Sequence, residues 1–347
     1  MKRDNLHFTF RTIDGYNKAF SAVISEREAG KTTAAWLDKV YKSFKDFSKP
    51  SIILRRFQVD ITDVYIQDLQ EIINKFDDNE IEINYKKGSL KEGIANIYIN
   101  DKLFVRVIAL SNPLSRNKSL IVRNVAFMIF DEFICNPKLG EKYLKGEEMR
   151  FKELYNTFQR ENPGLKCYFL GNPYSLYNPY FTWWGVDTKK LHPGAIVEGS
   201  NWVIQCYQIC DDLRQKILES NPLYEFDDSY KKYAFSGIAI NDINIPIANS
   251  MNNATLRFVI RINDKNLGIF QSADYLSYHC EILDISKLSK KRKIWCLNFD
   301  DIENRCVLLN NEDRVRFNSF IYAIRENRID YQSIECYYLI KEVYSYL

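Results

Sequence analysis

The stretch Ser25-Glu-Arg-Glu-Ala-Gly-Lys-Thr32 decides the fold of the first half of this 347-residue chain. It lies between a short apolar run, Ala19 to Ile24, and a segment, Lys31 to Phe47, whose apolar residues recur at helical spacing. A second apolar run, Ser51 to Leu54, comes next. The strand, helix and strand that this order predicts form a β-α-β unit, which requires a parallel sheet with a right-handed crossover.

The same stretch fits the phosphate-loop pattern G-x-x-x-x-G-K-[ST], except that Ser25 stands at the first glycine. In this pattern the backbone N–H groups of the loop and the N-terminus of the helix bind a polyphosphate. Lys31 supplies a cation for the β and γ phosphates, and the Thr32 hydroxyl suits Mg²⁺. A chance Gly-Lys-Thr at a helix start is the alternative. We therefore expect ATP to be bound by Ser25, Glu26, Arg27, Glu28, Ala29, Gly30, Lys31, Thr32 and Thr33.

A pair of carboxylates follows the strongest buried-strand pattern in the chain. Six apolar residues, Val125 to Phe130, end in Asp131 and Glu132. At the carboxyl edge of a parallel sheet this pair would lie beside the phosphate loop. There we expect Asp131 to hold Mg²⁺ and Glu132 to polarise the attacking water. Asn172 ends a further strand and is placed to sense the γ-phosphate, although Gly171-Asn-Pro also has the composition of a plain turn.

The order of the remaining elements predicts an α/β chain with a smaller second domain. Glu147 to Phe158 carries the apolar stripe of an amphipathic helix, and strands followed by helices dominate after about Met251. Between these parts the chain breaks into short polar pieces with Pro and Gly. We predict an ATPase domain over residues 1–196, a connector over 197–250 and a C-terminal α+β domain over 251–347.

The composition is that of an ordinary globular protein, with 46% apolar and 27% charged residues. A net charge of only +3 means that nucleic-acid binding would depend on local patches. No apolar run reaches the roughly 20 residues that span a bilayer, and the chain start lacks the apolar region of a signal peptide. We therefore expect an intracellular protein with no membrane partner. With three histidines and eight scattered cysteines, imidazole catalysis, a zinc site and a disulfide scaffold have little support.

The combination of motifs resembles the DNA-packaging ATPases of small tailed phages of the phi29-like type, over nearly the whole chain. The resemblance implies a ring ATPase of the ASCE P-loop (RecA-like) class, related to the large terminases, that pumps double-stranded DNA into a procapsid through the portal. It also implies a homo-oligomer, expected to be a pentamer, in the host cytoplasm, attached transiently to the procapsid, with a packaging RNA left open as a partner. The segments that carry the resemblance are the phosphate loop, Leu54-Arg-Arg-Phe57, Ile129-Phe-Asp-Glu-Phe133, Thr157-Phe-Gln-Arg160, and Leu170-Gly-Asn172 with Tyr177-Asn-Pro-Tyr180.

Two residues take a role only from this resemblance. Lys118 and Arg160 fall where the family places residues that act on the ATP of a neighbouring subunit, so both join Glu132 and Asn172 as candidate catalytic residues. Family members also carry an RNase-H-like C-terminal domain that has lost its nuclease acids. The strand Arg257 to Ile262 has arginines and no carboxylate here, which fits an inactive domain.

The predicted DNA contacts are Lys138, Lys142 and Lys145, on the loop that follows the acidic strand. They would bind the DNA backbone without base recognition, and a solvated surface loop is the alternative. Two alternatives remain open for Arg27 and Arg55-Arg56. They contact a phosphate or a carboxylate, or they are ordinary solvated side chains.

A second class of function also remains open. It is a nuclease or nucleic-acid-binding protein with a regulatory nucleotide site. The candidate metal ligands of such a nuclease include Asp264, Asp274, Asp284, Asp300 and Asp301.

Overall fold

The computed structural model of the chain forms two compact units, Met1–Asn241 and Asp242–Leu347. No helix of the described part is long and apolar enough to cross a membrane. The structure describes residues 6–76, 83–87, 93–113, 122–136, 139–227, 231, 234–235, 245–289, 291–297, 299, 302 and 305–346.

The first unit is built on a nine-stranded sheet with the order β3-β4-β5-β2-β6-β7-β1-β9-β8. Six neighbouring strands in this order, β5, β2, β6, β7, β1 and β9, are parallel to one another. Strands β3, β4 and β8 are antiparallel additions at the two ends of the sheet. One strand, β7, therefore separates β1 from β6, the order of ASCE P-loop domains. The strands are β1 Phe20–Ser25, β2 Ser51–Arg55, β3 Ile83–Lys87, β4 Ile94–Ile99, β5 Lys102–Ala109, β6 Phe127–Asp131, β7 Lys166–Gly171, β8 Ile196–Glu198 and β9 Trp202–Tyr207.

Both faces of this sheet are buried, as expected for parallel strands. Along β2, Ile53 packs into one apolar cluster while Ile52 and Leu54 pack into the cluster on the opposite face. The first face is covered by the helix after the phosphate loop and the second by the helix Glu147–Glu161. The helices are α1 Arg11–Asp14, α2 over residues 31–47 with a π-helical middle at Ala35–Tyr41, α3 Asp63–Phe76, α4 Glu147–Glu161, α5 Pro179–Trp184, α6 Asp211–Ser220 and α7 Leu223–Phe226.

Two element bounds differ from the predictions, and the side chain of Asn162 lies at both of them. Asn162 accepts a hydrogen bond from the backbone N–H of Val125 and donates to the carbonyl of Phe158. The first bond takes up the Val125 N–H just before β6, which begins at Phe127 and extends through Asp131. The second accompanies a helix α4 that continues to Glu161, so Arg160 lies in its last turn instead of after it.

The alternating runs between Ile81 and Val107, separated by Lys86-Lys-Gly-Ser, predict a hairpin before β6, and the structure has the antiparallel pair β3 and β4 there. Lys86 and Lys87 pair with β4, at Asn96 and Ala95, so the strand continues through the predicted turn. The remaining residues of that turn, 88 and 89, lie outside the described part.

The division of the chain also differs from the predicted boundary at residue 196. Strand β9 pairs with β1 over six residues, from Phe20 opposite Trp202 to Ser25 opposite Tyr207. Helix α6 then packs against the phosphate loop through Leu213. Much of the predicted connector over 197–250 therefore belongs to the first unit, because it completes that unit's sheet and core.

The second unit has a six-stranded sheet with the order β14-β13-β10-β11-β12-β15. Strands β10 to β12 form an antiparallel meander, and β13 and β14 continue the sheet parallel to β10, which is the RNase-H-like arrangement. The prediction of a meander followed by helices is confirmed. The elements are β10 Thr255–Ile262, β11 Lys265–Gln271, β12 Tyr278–Ile282, β13 Ile294–Cys296, β14 Cys306–Leu308, α8 Asn311–Arg314, α9 Asn318–Arg325, β15 Ile329–Tyr331 and α10 Ile334–Tyr346.

Candidate nucleotide site

The phosphate loop joins β1 to α2 and turns through two residues with positive φ. Glu28 has φ 60° and Gly30, the residue before the helix, has φ 81°. A Cβ atom on Gly30 would lie 3.1 Å from the ring of His7, so backbone conformation and close packing both require glycine here. Ser25, at the position of the missing first glycine, donates its hydroxyl to the Glu26 carbonyl. The loop therefore closes locally without that glycine.

Lys31 lies at the centre of the site with its ammonium group buried. Its Nζ donates to the Ser25 carbonyl and hydroxyl at 3.0 and 2.8 Å, to the Glu26 carbonyl at 3.0 Å and to Asn172 Oδ1 at 3.0 Å. Burial lowers the pKa of Lys31 to about 7, although the nearby carboxylates of Asp131 and Glu26 oppose the shift. A buried ammonium held only by neutral oxygen atoms is ready to gain from an anionic ligand.

The two predicted carboxylates lie at the end of β6 and share one guanidinium. Arg55, at the end of the neighbouring strand β2, contacts Asp131 Oδ2 at 3.3 Å and Glu132 Oε2 at 2.7 Å. Asp131 is buried, whereas 64% of the Glu132 side chain is exposed. Burial raises the pKa of Asp131 to about 6, with Arg55 acting against the shift. The partner of Arg55 is thus a carboxylate pair, which answers the question left open for this arginine.

Asn172 and Arg27 are joined to Lys31 through a chain of hydrogen bonds. Asn172 Nδ2 donates to the hydroxyl of Tyr174 at 3.0 Å, and that hydroxyl also accepts from Arg27 at 2.9 Å. The structure therefore brings the end of β7 to the phosphate loop. Tyr174 is a site residue that the sequence interpretation missed, and only its position two residues after Asn172 pointed to it.

The acidic residues inside the phosphate loop face away from Lys31 toward the segment after β9. Glu26 pairs with Arg214 of α6 at 3.3 Å, and Glu28 accepts from the hydroxyl of Tyr224 at 3.0 Å. Ala29 packs among the apolar residues of the same segment. Burial raises the pKa of Glu26, while Arg214 opposes the shift. Two carboxylates in a phosphate-binding loop need such partners. The presence of Glu26 and Glu28 in the loop was therefore the signal in the sequence that these partners exist.

Among the other predicted residues, Arg160 lies apart from this cluster. Arg160 is exposed near the edge where the strands begin, because α4 runs from the carboxyl edge, where Glu147 meets Arg56, back to Asn162. Lys142 and Lys145 are exposed on the loop between β6 and α4, at the carboxyl edge. Thr32 and Thr33 are half-buried at the start of α2. Lys118 and Lys138 lie outside the described residues.

The candidate nuclease carboxylates of the second unit form ion pairs or hydrogen bonds within their own turns. Asp264 pairs with Arg261 at 3.3 Å, Asp274 accepts from the Leu276 N–H at 3.0 Å, and Asp284 accepts from the Ser286 N–H at 2.9 Å. Asp300 and Asp301 lie outside the described part. Within that part no three His, Cys, Asp or Glu side chains are grouped to hold a metal ion.

Strand order and site geometry together define the class. A β1-loop-α2 unit with a buried lysine, and a carboxylate pair two strands away on the same sheet edge, make this first unit an ASCE P-loop ATPase domain. The chain belongs to the podovirus DNA encapsidation protein (Gp16) family, whose model matches residues 2–346. This confirms the resemblance inferred from the motifs.

Individual relatives agree with this assignment over most of their length. The DNA packaging protein of Bacillus phage phi29 is 24% identical over 321 residues, which cover 88% of this chain and 87% of the relative. The DNA packaging protein of Bacillus phage B103 is 23% identical over 310 residues, covering 85% and 87%. The solved bacteriophage Phi-29 viral genome packaging motor assembly superposes with a TM-score of 0.71 at 20% identity, covering 99% of both chains. The Phi-28 gp11 DNA packaging motor gives 0.65 at 18% identity, covering 96% and 95%. The chain therefore shares their fold throughout.

Proposed function

We propose that this chain is an ATP-driven motor subunit that translocates double-stranded viral DNA into a procapsid. The observation that carries the proposal is the environment of Lys31 Nζ. It bonds to the phosphate loop and to Asn172 at 3.0 Å while lying in the field of Asp131, so the ends of β1, β6 and β7 meet at one point. Membership in a DNA encapsidation family supports DNA as the substrate that is moved.

The residues at this point fit Mg·ATP. The Thr32 hydroxyl and the buried Asp131 carboxylate are hard oxygen donors of the kind that Mg²⁺ prefers. Asp131 would gain from a cation because burial already disfavours its charge. When bound, Mg²⁺ neutralises charge on the β and γ phosphates.

Each side chain then has a task that its position allows. Lys31 binds the phosphates in place of its present oxygen partners. Glu132 is the more exposed carboxylate and orients the attacking water, and Asn172, already bonded to Lys31, holds the γ-phosphate in line. Arg55 bonds Glu132 Oε2, and the second oxygen of that carboxylate is the acceptor for the attacking water.

The assembly part of the proposal rests on the family and on charge. We propose a ring, a pentamer at the portal of a procapsid in the host cytoplasm, in which Lys118 and Arg160 act on the ATP of the next subunit. Lys138, Lys142 and Lys145 would contact the DNA backbone. A packaging RNA is a further partner that the same assembly would accommodate.

ATP hydrolysis with and without linear double-stranded DNA tests the proposal. Lys31→Ala should reduce hydrolysis to background, because the loop loses the cation that faces the phosphates. Lys42→Ala, an exposed lysine on the same helix, is the matched control and should stay within about twofold of the parent, as surface changes usually do. Metal-dependent DNA cleavage that survives Lys31→Ala would instead support the nuclease alternative.

A further inference from the structure

We infer that the buried ion pair between Arg56 and Glu147 is a positioning device that couples the backbone of Glu132 to the loop carrying Lys142 and Lys145. The inference rests on the proposed function. It gives the DNA loop, defined by the described residues 135–136 and 139–146, a physical connection to the carboxylate that acts on ATP.

The pair is buried and its hydrogen bonds extend in two directions. Arg56 is 6% exposed and Glu147 is 1% exposed. The guanidinium bonds both carboxylate oxygens of Glu147, at 2.9 and 3.2 Å. Its other N–H groups donate to the carbonyls of Glu132, at 3.0 Å, and Phe133, at 2.6 Å. One planar side chain thus bonds four acceptor atoms in a fixed geometry, whereas a lysine has three N–H donors and no planar group.

The backbone at Glu132 needs this support. Glu132 has φ 57°, a left-handed conformation that non-glycine residues rarely adopt. The turn is fixed on one side by the Phe133 N–H, which donates to the Leu170 carbonyl at 3.1 Å, and on the other by Arg56. Strained residues of this kind persist only where the surroundings hold them. Arg56 therefore helps to set where the Glu132 carboxylate points.

The opposite end of the pair holds the DNA loop. Glu147 Oε2 accepts from the Leu144 N–H at 2.8 Å, which closes the C-terminal end of the loop. The ring of Tyr143 packs 5.2 Å from the Arg56 guanidinium, and its hydroxyl accepts from the Cys135 N–H at 3.1 Å, at the start of the loop. Both ends of the loop are therefore attached around Arg56. A displacement of the loop by DNA would move the guanidinium and, with it, the Glu132 carbonyl.

Arg56→Lys tests this coupling, because it keeps the positive charge and removes the planar guanidinium group with its several N–H donors. We expect a folded protein whose affinity for a fluorescent ATP analogue and whose KM for ATP stay within about twofold. The kcat should fall by about tenfold to a hundredfold, the usual effect of losing charged hydrogen bonds. The ratio of hydrolysis rates with and without DNA should fall toward one. A merely structural role would change folded protein and kcat in proportion and leave that ratio alone.

Arg123→Lys is the matched control. Arg123 also pairs with a glutamate, Glu161, at 3.2 Å, but its side chain is 83% exposed. This variant should match the parent in kcat and in the DNA ratio.

Tyr143→Phe is a second, milder variant that serves if Arg56→Lys does not fold. It removes only the hydroxyl that holds the Cys135 N–H, and it should at least halve the DNA stimulation ratio.

Two results would overturn the inference. One is Arg56→Lys with parental kcat and DNA stimulation, and the other is Tyr143→Phe with an unchanged stimulation ratio. Either result, in a protein whose hydrolysis still depends on Lys31, refutes the coupling alone. Hydrolysis that is indifferent to Lys31→Ala refutes the proposed function itself.

Discussion

At the scale of single residues, the site is a set of buried charges balanced against one another. Lys31 and Asp131 are both shifted by burial toward their neutral forms, with pKa values of about 7 and about 6. Such shifts are typical of sites where a charged ligand completes the balance. The sequence predicted which residues would carry this chemistry, but their shifts depend on burial, which only the fold determines.

These two shifts predict that proton exchange on binding Mg·ATP changes sign with pH. At pH 8 Lys31 is largely neutral, and phosphate stabilises its charged form, so binding should take up close to one proton. At pH 5.5 Lys31 is already charged and Asp131 is partly protonated, so the metal should displace a proton from Asp131. Titration calorimetry in buffers of different ionisation enthalpy measures both values. Equal and negligible exchange at the two pH values would contradict the assignment of these pKa values.

At the scale of elements, side-chain contacts set the boundaries that periodicity left uncertain. Hydrophobic patterns predicted the existence of β1, β2, β6, β7 and α4. They missed that β6 begins after Val125, whose N–H is bonded to Asn162, because a single side-chain hydrogen bond leaves no periodic trace. They also missed that the chain after residue 196 returns to the sheet. The pairing of β9 with β1 is a contact between residues about 180 positions apart, as Phe20 and Trp202 show, and local patterns do not encode it.

The loop between β6 and α4 carries a prediction about salt. Lys142→Ala combined with Lys145→Ala should flatten the dependence of log affinity on log salt, by about 0.9 for each lysine that contacts a phosphate of duplex DNA. The double change at Lys189 and Lys190, which are also exposed, is the matched control. DNA affinity measured by anisotropy between low and moderate salt gives the slopes. An unchanged slope would show that these lysines do not contact DNA and that the loop is ordinary solvated surface.

At the scale of the whole molecule, Arg160 is the residue whose proposed task requires a neighbour. It lies near the edge of the sheet opposite its own phosphate loop, in the last turn of α4. Within one subunit it has no path to the γ-phosphate bound at the carboxyl edge. As a cation at a helix C-terminus it would contribute only about 0.3 to 1 kcal/mol to stability. As a residue acting across a ring it would affect hydrolysis by about 10³ to 10⁵.

Mixing experiments separate these two roles. Arg160→Ala subunits should fold and bind ATP like the parent, because nothing in their own site has changed. Added to parental subunits, they should depress hydrolysis by more than their mole fraction, since each one leaves the next site without its arginine. A loss strictly proportional to the mole fraction, or full activity of the pure variant, would exclude a role across the interface.

The pairing of β9 with β1 also determines when the sheet beside the phosphate loop can first be completed during synthesis of the chain. Strand β1 and the phosphate loop emerge from the ribosome early, but one edge of β1 stays open until Trp202–Tyr207 has been made. The partners of Glu26 and Glu28, Arg214 and Tyr224, follow later still. An open edge strand is a site for pairing with other chains. The nascent subunit therefore carries an incomplete phosphate-loop environment and an exposed strand edge until more than half of the chain has been made, and both are completed within the same short stretch of newly made chain.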